Sequence, residues 1–483
     1  MYIGLDLGTS GLKGVLMDDS QRILAEARAD LTVSRLHDGW SEQAPDTWLS
    51  AARLVLGKLA QQRDLWAVRG IGLSGHMHGA TFLDAADRVL RPCILWNDVR
   101  AADQAARLDA IPAFRAISGN IVFPGFTAPK AVWLRENEPE IFDRVRKILL
   151  PKDYLRLWLT GEHVSDMSDA AGTSWFDCAK RGWSDELLAL SGVDRSLMPA
   201  LVEGSAISGR LRPDLAAEFG LAPDVVVAGG AGDNAASAIG VGVVKAGDAF
   251  VSLGTSGVLF AATDDYRPNA DSAVHSFCHA LPQSWHQMGV ILAATDALNW
   301  FAQLVGKSAQ ELTANLGPLQ APSRTMFLPY LGGERTPLND AHIRGAFLGL
   351  EHATDQMAAT RAVLEGVTYA LSGCQDALAS TGTCLDSVLA VGGGARSDYW
   401  LSLIATILDI PVLLPVSGDY GAAFGAARLG MMAATGAGAE IAIAPEIERE
   451  FLPDTDLAEG FRDGYHRYRL ATEAITRSGL GLT

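Results

Sequence analysis

Cysteine is scarce in this chain of 483 residues, and its five cysteines are scattered at positions 93, 178, 278, 374 and 384. No two of them form a Cys-x-x-Cys pair, and their number is odd. Such a set does not provide a disulfide framework and is typical of reduced thiols in a cytosolic protein. We therefore expect a cytoplasmic location.

Basic residues are outnumbered as well, with 39 Lys and Arg against 56 Asp and Glu and a formal net charge of −17. So acidic a surface repels phosphate backbones and anionic lipids, which argues against a nucleic-acid or membrane-surface partner. Long apolar runs are missing too, since none approaches the roughly 18 residues of a spanning helix. Residues 1–6 also lack the basic start of a signal peptide. We expect a soluble chain with no nucleic-acid and no membrane partner.

What the chain does contain is an alternation of short β-rich runs with amphipathic segments rich in alanine and leucine. Buried strands are predicted at residues 145–150, 225–228 and 387–391, and helices at residues 45–61, 355–380 and 397–408. This interleaving predicts an α/β architecture, and the length predicts two or three domains. The start of the chain differs, because tight turns join predicted strands at 2–7, 13–18 and 23–31 into an antiparallel meander.

A five-residue repeat organises the rest of the sequence. Residues 7–11, Leu-Gly-Thr-Ser-Gly, recur letter for letter at residues 253–257, and each copy stands between two short apolar strands. We infer two related lobes, residues 1–244 and 245–483, each with one such hairpin. A cleft between the lobes is the natural place for a ligand.

A Gly-Thr-Ser-Gly turn suits phosphate binding, because glycine lets backbone N–H groups approach an anion and the hydroxyls donate further hydrogen bonds. Two facing hairpins would clasp a polyphosphate, with Thr9 and Ser10 in the first copy and Lys13 as a nearby cation. For a single copy an ordinary β-turn is the simpler interpretation, and Lys13 fits a solvated strand position equally well. The matched pair favours the phosphate clasp.

Asp6 stands just before the first hairpin, at the end of an apolar strand. A carboxylate in such a place is costly unless it binds a cation or hydrogen-bond donors. Next to phosphates the expected cation is Mg²⁺, which keeps several waters among its ligands. An aspartate that caps a turn is the alternative.

Asp233 follows a strand and a glycine loop and precedes a helix of small residues. It stands where a helix N-cap is expected, and for an isolated aspartate that role is the simpler interpretation. The glycines before it, however, allow a closer ligand approach than a cap requires, and a helix N-terminus favours an ionised carboxylate and attracts phosphate. We expect Asp233 to orient a substrate hydroxyl and to take its proton in a phosphoryl transfer.

Three further stretches suit a nucleotide or a sugar. Residues 392–394 are glycines after a strand and fit close packing against a base or ribose, although a plain βα turn explains them as well. His78 fits a hydrogen-bond partner of a polar substrate. Trp96 and Asp98 combine a ring face with polar groups, as sugar sites do, and a loop tryptophan packed on its own lobe is the alternative.

Together these segments resemble the FGGY family of carbohydrate kinases, a group of actin-like ATPases with the ribonuclease-H fold. The resemblance spans almost the whole chain and rests on residues 4–10, 126–134, 232–234, 252–257 and 392–397. More specific strings are similar to the bacterial members that act on D-xylulose. They lie at residues 40–43, 75–80, 95–98, 150–155 and 166–173.

The resemblance implies two actin-like α/β lobes that close around an interdomain cleft. It also implies transfer of a phosphate from ATP, with Mg²⁺, to the 5-hydroxyl of D-xylulose. By position, Asp233 matches the family's catalytic base and Asp6 the acid tied to Mg²⁺. The implied sugar contacts are Met77, His78 and Asn234, the implied phosphate contacts are Thr9, Ser10, Gly254 and Thr255, and the implied adenosine contacts are Gly393 and Gly394.

Two alternatives stay open from the sequence. One is another FGGY kinase, which would act on ribulose, gluconate, glycerol or a deoxyketose. The other is an actin-like ATPase whose nucleotide state drives partner binding, and this leaves the sugar-like strings of the first lobe unexplained. The expected partners are a small sugar and ATP, and a homodimer is compatible with the sequence.

Overall fold

The computed structural model describes residues 1–416 and 421–478. The first half of the chain contains fifteen strands and ten α-helices, all within the described residues. The strands are β1 (Tyr2–Leu7), β2 (Gly11–Met17), β3 (Ile23–Asp30), β4 (Glu42–Gln43), β5 (Gly70–Gly75), β6 (Thr81–Leu83), β7 (Cys93–Ile94), β8 (Lys147–Leu149), β9 (Val164–Asp166), β10 (Phe176–Asp177), β11 (Gly182–Trp183), β12 (Ala200–Val202), β13 (Ile207–Arg210), β14 (Val226–Ala228) and β15 (Ala231–Gly232). The helices are α1 (Pro45–Gln62), α2 (Ala102–Asp109), α3 (Pro112–Ser118), α4 (Thr127–Asn137), α5 (Pro139–Phe142), α6 (Pro151–Thr160), α7 (Met167–Ala170), α8 (Asp185–Ser191), α9 (Pro213–Phe219) and α10 (Asp233–Val241).

The second half continues the same alternation of strands and helices. Its strands are β16 (Ala249–Leu253), β17 (Gly257–Thr263), β18 (His275–Cys278), β19 (Trp285–Ile291), β20 (Met326–Leu328), β21 (Ala346–Leu348), β22 (Val388–Val391), β23 (Val412–Pro415) and β24 (Ile447–Phe451). Its helices are α11 (Thr295–Leu304), α12 (Ala309–Thr313), α13 (Gln356–Ala379), α14 (Asp398–Leu408), α15 (Ala422–Thr435) and α16 (Thr455–Ser478). The strands and helices predicted from the sequence are all present, with ends that differ by one or two residues.

The first half builds a seven-stranded sheet with the order β13-β14-β5-β1-β2-β3, in which β15 also pairs with β5. The chain begins with the predicted antiparallel meander, because β2 pairs antiparallel with both β1 and β3. On its other edge β1 pairs in parallel with β5, and β5 pairs in parallel with β14. The inward side chains of these strands form one hydrophobic core with α1 and α9.

The second half repeats this arrangement in a seven-stranded sheet with the order β18-β19-β17-β16-β22-β23-β24. Here β16 pairs antiparallel with β17 and in parallel with β22, just as β1 pairs with β2 and β5. The Gly-Thr-Ser-Gly turns therefore join equivalent strands in the two sheets. The predicted fold class, two α/β lobes of related topology, is confirmed.

Two helices pack across the division between the halves of the sequence. Helix α15 belongs to the second half but packs on β1 and β5 of the first sheet and against α10. Helix α10 belongs to the first half, yet its Ala238 and Val241 share a core with Phe250 and Phe260 of the second sheet. The limits of 1–244 and 245–483 stay a prediction, since elements of each half complete the other lobe. No helix in the described ranges is long and apolar enough to cross a bilayer.

Candidate active site

Asp6 and Asp233 lie on either side of strand β5, at the same end of the first sheet. Asp6 on β1 is the register partner of Ser74 on β5, and the Ser74 hydroxyl donates to Asp6 Oδ1 over 2.9 Å. Gly232, the residue before Asp233, is the register partner of Gly75 on the opposite edge of β5. The structure thus brings the two predicted carboxylates to one end of a three-strand unit.

The carboxylate of Asp233 is subject to opposing electrostatic effects, of which burial is the largest. Burial, and then the negative charge of Asp6, raise the pKa of Asp233 to about 6. Two donors of Asn234 oppose this shift, the backbone N–H at 2.8 Å and the side-chain Nδ2 at 3.1 Å from Asp233 Oδ1. Asp233 is the first residue of α10 and Gly232 is its N-cap, so the expectation of an aspartate N-cap is wrong by one position.

The pKa of Asp6 is raised, because burial of its carboxylate outweighs the opposing effects of Ser74 and Lys13. Lys13 is its register partner on β2, but the Lys13 ammonium lies 3.3 Å from Glu26 on β3. The cation is therefore part of a cross-strand ion pair in this structure. Its predicted role at ATP stays a prediction.

The first hairpin turn contacts the predicted sugar loop. Trp96 Nε1 donates to the Thr9 hydroxyl over 3.0 Å, and Gln43 Nε2 donates to the Thr9 carbonyl oxygen over 2.7 Å. The Ser10 side chain is exposed, and the Trp96 ring remains 44% exposed. The turn and the tryptophan therefore form one surface.

Asp98 differs from the exposed Trp96, because both of its carboxylate oxygens accept hydrogen bonds from neighbouring protein groups. One oxygen accepts the Ser41 N–H at 2.6 Å, and the Arg100 guanidinium binds both oxygens. The side chain is buried. These bonds hold the loop that carries Trp96, and a direct sugar contact of Asp98 stays a prediction.

Met77 and His78 lie directly beside the Asp233 loop. Gly232 packs so closely on Met77 that a Cβ atom there would stand 2.8 Å from the Met77 sulfur. His78 Nδ1 lies 2.7 Å from the Gly172 carbonyl oxygen, so Nδ1 donates and Nε2 is left as an acceptor. Desolvation lowers the pKa of His78 to about 3, which keeps the imidazole neutral. The structure thus brings Met77, His78, Asp233 and Asn234 together.

The second hairpin turn is tied to the third glycine cluster through helix α11. The Gly254 carbonyl oxygen accepts the backbone N–H and the hydroxyl of Thr295, at 2.9 and 2.7 Å. Gly394 packs against Leu253 and Trp400. A cavity of about 420 Å³ opens here, lined by Thr295, Leu298, Asn299, Ala309, Gln310, Thr313, Gly393, Gly394, Arg396, Ser397 and Trp400. Gly393 and Gly394 thus line one cavity large enough for a nucleoside, and Gly254 is joined to its wall through Thr295. Thr255, the next residue of the turn, is exposed.

Comparison with known proteins identifies the family of this chain. The family models for the N-terminal and C-terminal domains of the FGGY family of carbohydrate kinases match residues 1–240 and 249–434. The chain belongs to this family. That the two hairpins of this FGGY kinase face each other across the cleft remains a prediction.

Individual relatives of this FGGY kinase match over nearly the full length. The xylulose kinase of Escherichia coli K12 is 48% identical over 97% of this chain and 98% of its own. Among solved structures, one described as a xyloylose kinase from Brucella ovis has 58% identity and a TM-score of 0.97, with 99% of both chains covered. The ligand-bound xylulose kinase from Lactobacillus acidophilus has 25% identity and a TM-score of 0.92, with 98% of both chains covered.

One residue beside the candidate site of the FGGY kinase that sequence reasoning missed is Lys130. Its fully buried ammonium donates to the carbonyl oxygens of His78, at 2.8 Å, and of Gly125, at 2.6 Å. His78 has a φ of +70°, which side-chain-bearing residues rarely adopt, and Lys130 helps to hold it there. Lys130 lies within the string 126–134 that carried the resemblance, so the signal was the single charged residue of a mostly apolar string.

A buried ionic cluster supports the Asp233 loop from behind. Lys152 Nζ lies 2.6 Å from Asp153, 2.6 Å from Asp166 and 3.1 Å from Asp169, and all four side chains are buried. The ammonium occupies the position where three carboxylates would otherwise hold a metal ion. Through Ser168, whose hydroxyl binds Asp166 and accepts the Gly232 N–H at 3.2 Å, the cluster reaches the residue before Asp233.

Proposed function

We propose that this FGGY kinase transfers the terminal phosphate of ATP to the 5-hydroxyl of D-xylulose and forms D-xylulose 5-phosphate. The observation that carries the proposal is Asp233, a carboxylate whose pKa burial raises to about 6 and whose neighbour Gly232 packs on Met77, the residue before His78. Relatives of 48% and 58% identity that are named for this sugar support the choice of substrate.

In this proposal Asp233 orients the sugar hydroxyl and accepts its proton as the oxygen attacks the phosphorus atom. Met77 provides an apolar wall, and His78 Nε2 accepts a hydrogen bond from another hydroxyl. Asn234 donates to Asp233 and so keeps its carboxylate turned toward the reacting oxygen. Closure of the lobes excludes water, which would otherwise accept the phosphate.

The nucleotide is proposed to bind with its adenosine in the cavity at Gly393 and Gly394. The N–H groups and hydroxyls of the two turns then donate to the phosphates, and the residues concerned are Thr9, Ser10, Gly254 and Thr255. We assign Asp6 to hold Mg²⁺ through water. The Asp6 carboxylate suits this role, since carboxylate oxygens are ligands of Mg²⁺ and its water. Ser74 is the single hydrogen-bond donor to this carboxylate among the described residues, so oxygen lone pairs remain for such a ligand. Bound Mg²⁺ would neutralise charge on the phosphates.

The experiment is a panel of sugars in a coupled assay of ADP formation, with and without Mg²⁺. The panel contains D-xylulose, ribulose, gluconate, glycerol and a deoxyketose, and we expect the highest kcat/KM for D-xylulose and no turnover without the metal. A higher kcat/KM for another member of the panel contradicts the assignment of the sugar.

Asp233→Ala should retain sugar binding but lose about 10³-fold or more in kcat, because no other described group replaces the base.

The compartment in which ATP is available to such an enzyme is the cytoplasm, which we propose as its location. The cysteines support this, since all five are free thiols and four of them are buried. Membrane attachment is not needed for this reaction.

A further inference from the structure

Arg335 is a side chain of the second lobe that reaches the first lobe beside the proposed sugar site. It lies in the connection between β20 and β21, where the N–H of the next residue, Thr336, donates to Val290 on β19. Its guanidinium carbon stands 4.8 Å from the centre of the Phe123 ring. Its Nη1 lies 3.4 Å from Nε2 of His275 on β18. The cation therefore spans the gap between the lobes.

This guanidinium has no carboxylate partner in the part of the chain that the structure describes. In residues 1–416 and 421–478 no carboxylate oxygen lies within 4.0 Å of a guanidinium nitrogen of Arg335, although the preceding residue is Glu334. The Glu334 carboxylate is turned toward backbone N–H groups, those of Leu292 at 2.9 Å and of Arg335 itself at 2.7 Å. Burial lowers the pKa of Arg335, so its charge is costly where it stands. Guanidinium donors among aromatic rings are available for a ligand.

The rings that Arg335 contacts pack against the rings that contact His78. They form the interlobe ring cluster, which consists of His78, Phe123 and Phe126 from the first lobe with His275 and Phe277 from the second. The His78 ring stacks on Phe126 at 4.4 Å, and His275 lies 5.8 Å from Phe126 and 5.3 Å from Phe123. The positive charge of Arg335 also contributes to the lowered pKa of His78. Arg335 and the His78 imidazole thus lie at the same end of the cleft.

We propose that Arg335 donates hydrogen bonds to oxygens of the bound sugar and so completes the sugar site from the second lobe. The inference rests on the proposed function and assigns it a specificity residue. A ketopentose presents only hydroxyl and carbonyl oxygens, and a guanidinium presents five N–H groups in a fixed planar fork. His78 Nε2 accepts from the sugar on one side, and Arg335 donates on the other. Sugar binding is then coupled to the contact between the lobes.

The test compares Arg335→Met with the wild-type enzyme. We expect the KM for the preferred sugar to rise about tenfold or more, because charged hydrogen bonds to the substrate are lost. The KM for ATP should stay within about twofold, and the unfolding temperature should be retained, since Arg335 forms no ion pair with any described residue. Arg335→Lys should recover part of the sugar affinity. Arg344→Met is the matched control, because Arg344 is an exposed arginine of the same lobe whose guanidinium donates to two carbonyl oxygens of its own loop.

Two results would overturn the inference. One is an unchanged KM for the sugar in Arg335→Met. The other is an equal rise in Phe123→Leu, which removes the ring under the guanidinium but no donor, since the effect would then come from the contact between the lobes. The inference fails separately from the proposed function. If the wild type prefers another sugar of the panel, the substrate assignment falls, and the Arg335 variants are then compared on that sugar.

Discussion

At the scale of single residues, the pKa of Asp233 is set by neighbours with opposing effects. Burial and the charge of Asp6 favour its protonated form, while the two Asn234 donors favour the carboxylate. The resulting pKa of about 6 leaves Asp233 ionised at neutral pH but closer in basicity to a hydroxyl than an exposed aspartate is. His78, by contrast, stays neutral, because desolvation lowers its pKa to about 3.

We therefore expect kcat/KM for the sugar to fall as the pH falls through about 6, with the slope of a single proton. The rate falls toward low pH because Asp233 acts as a base in the proposal. A proton that Asp233 binds at low pH occupies the carboxylate oxygen that must accept the proton of the substrate hydroxyl. The measurement is a pH–rate profile from about pH 5 to 8 at saturating ATP and Mg²⁺. Lys130, whose pKa burial lowers to about 7, loses its proton on the alkaline side and does not produce this limb.

The control for this limb is the residual rate of Asp233→Ala, which should not decline between pH 7 and pH 5. A limb that survives in this variant belongs to another group and contradicts the assignment of the base.

At the scale of elements, the site depends on how closely helices α10 and α15 cross. A methyl group on Gly425 of α15 would overlap the carbonyl oxygen of Ala236 on α10. On its other side α15 lies against glycines of the first sheet, since side chains on Gly4 and Gly72 would overlap its backbone. Small residues let the backbones of α15, α10 and the sheet approach, and α10 carries Asp233 as its first residue.

Gly425→Ala should therefore lower both stability and turnover. Forced overpacking of this kind costs about 1–3 kcal/mol, which we expect as a lower unfolding temperature. A displaced α10 moves Asp233, so kcat should fall more than the KM for ATP rises. The matched control is Gly57→Ala, since a Cβ there would meet no described atom within 4 Å beyond its chain neighbours and the backbone of its own helix α1, which alanine favours. An unfolding temperature for Gly425→Ala equal to that of Gly57→Ala would contradict the close crossing.

The sequence predicted the local parts of this arrangement better than the long-range ones. Strand β1, the repeat turn and the start of α10 were predictable, because alternation and glycine clusters are local patterns. The packing of α10 and α15 across the division between the lobes was not predictable, since it depends on which distant backbone a run of small residues approaches. Arg335 was missed for the same reason, because its contact with Phe123 joins positions far apart in the chain and no local pattern marks it.

At the scale of the whole molecule, the lobes are tied together at the end where the sugar is proposed to bind. Asn120 of the first lobe pairs with the backbone of Ser276 on β18, with bonds of 2.9 Å from the Ser276 N–H and 3.1 Å to its carbonyl oxygen. The Tyr266 hydroxyl of the second lobe donates to the Ser118 carbonyl oxygen over 2.8 Å. We therefore expect the lobe motion that admits ATP to pivot near these contacts. The cleft would then open near the cavity lined by Gly393 and Gly394.

Asn120→Ala should loosen this tie. Two buried backbone groups of Ser276 would lose their partner, at a cost of about 1–3 kcal/mol for each unsatisfied group. We expect a lower unfolding temperature, a larger radius of gyration in solution scattering without substrates, and recovery of the wild-type radius when sugar and an ATP analogue are bound. Ser276→Ala is the matched control, because it removes only the hydroxyl that donates to Arg267 within the same lobe and keeps both backbone bonds. If the two variants behave alike, the Asn120 contact does not hold the lobes together, and the pivot must lie elsewhere.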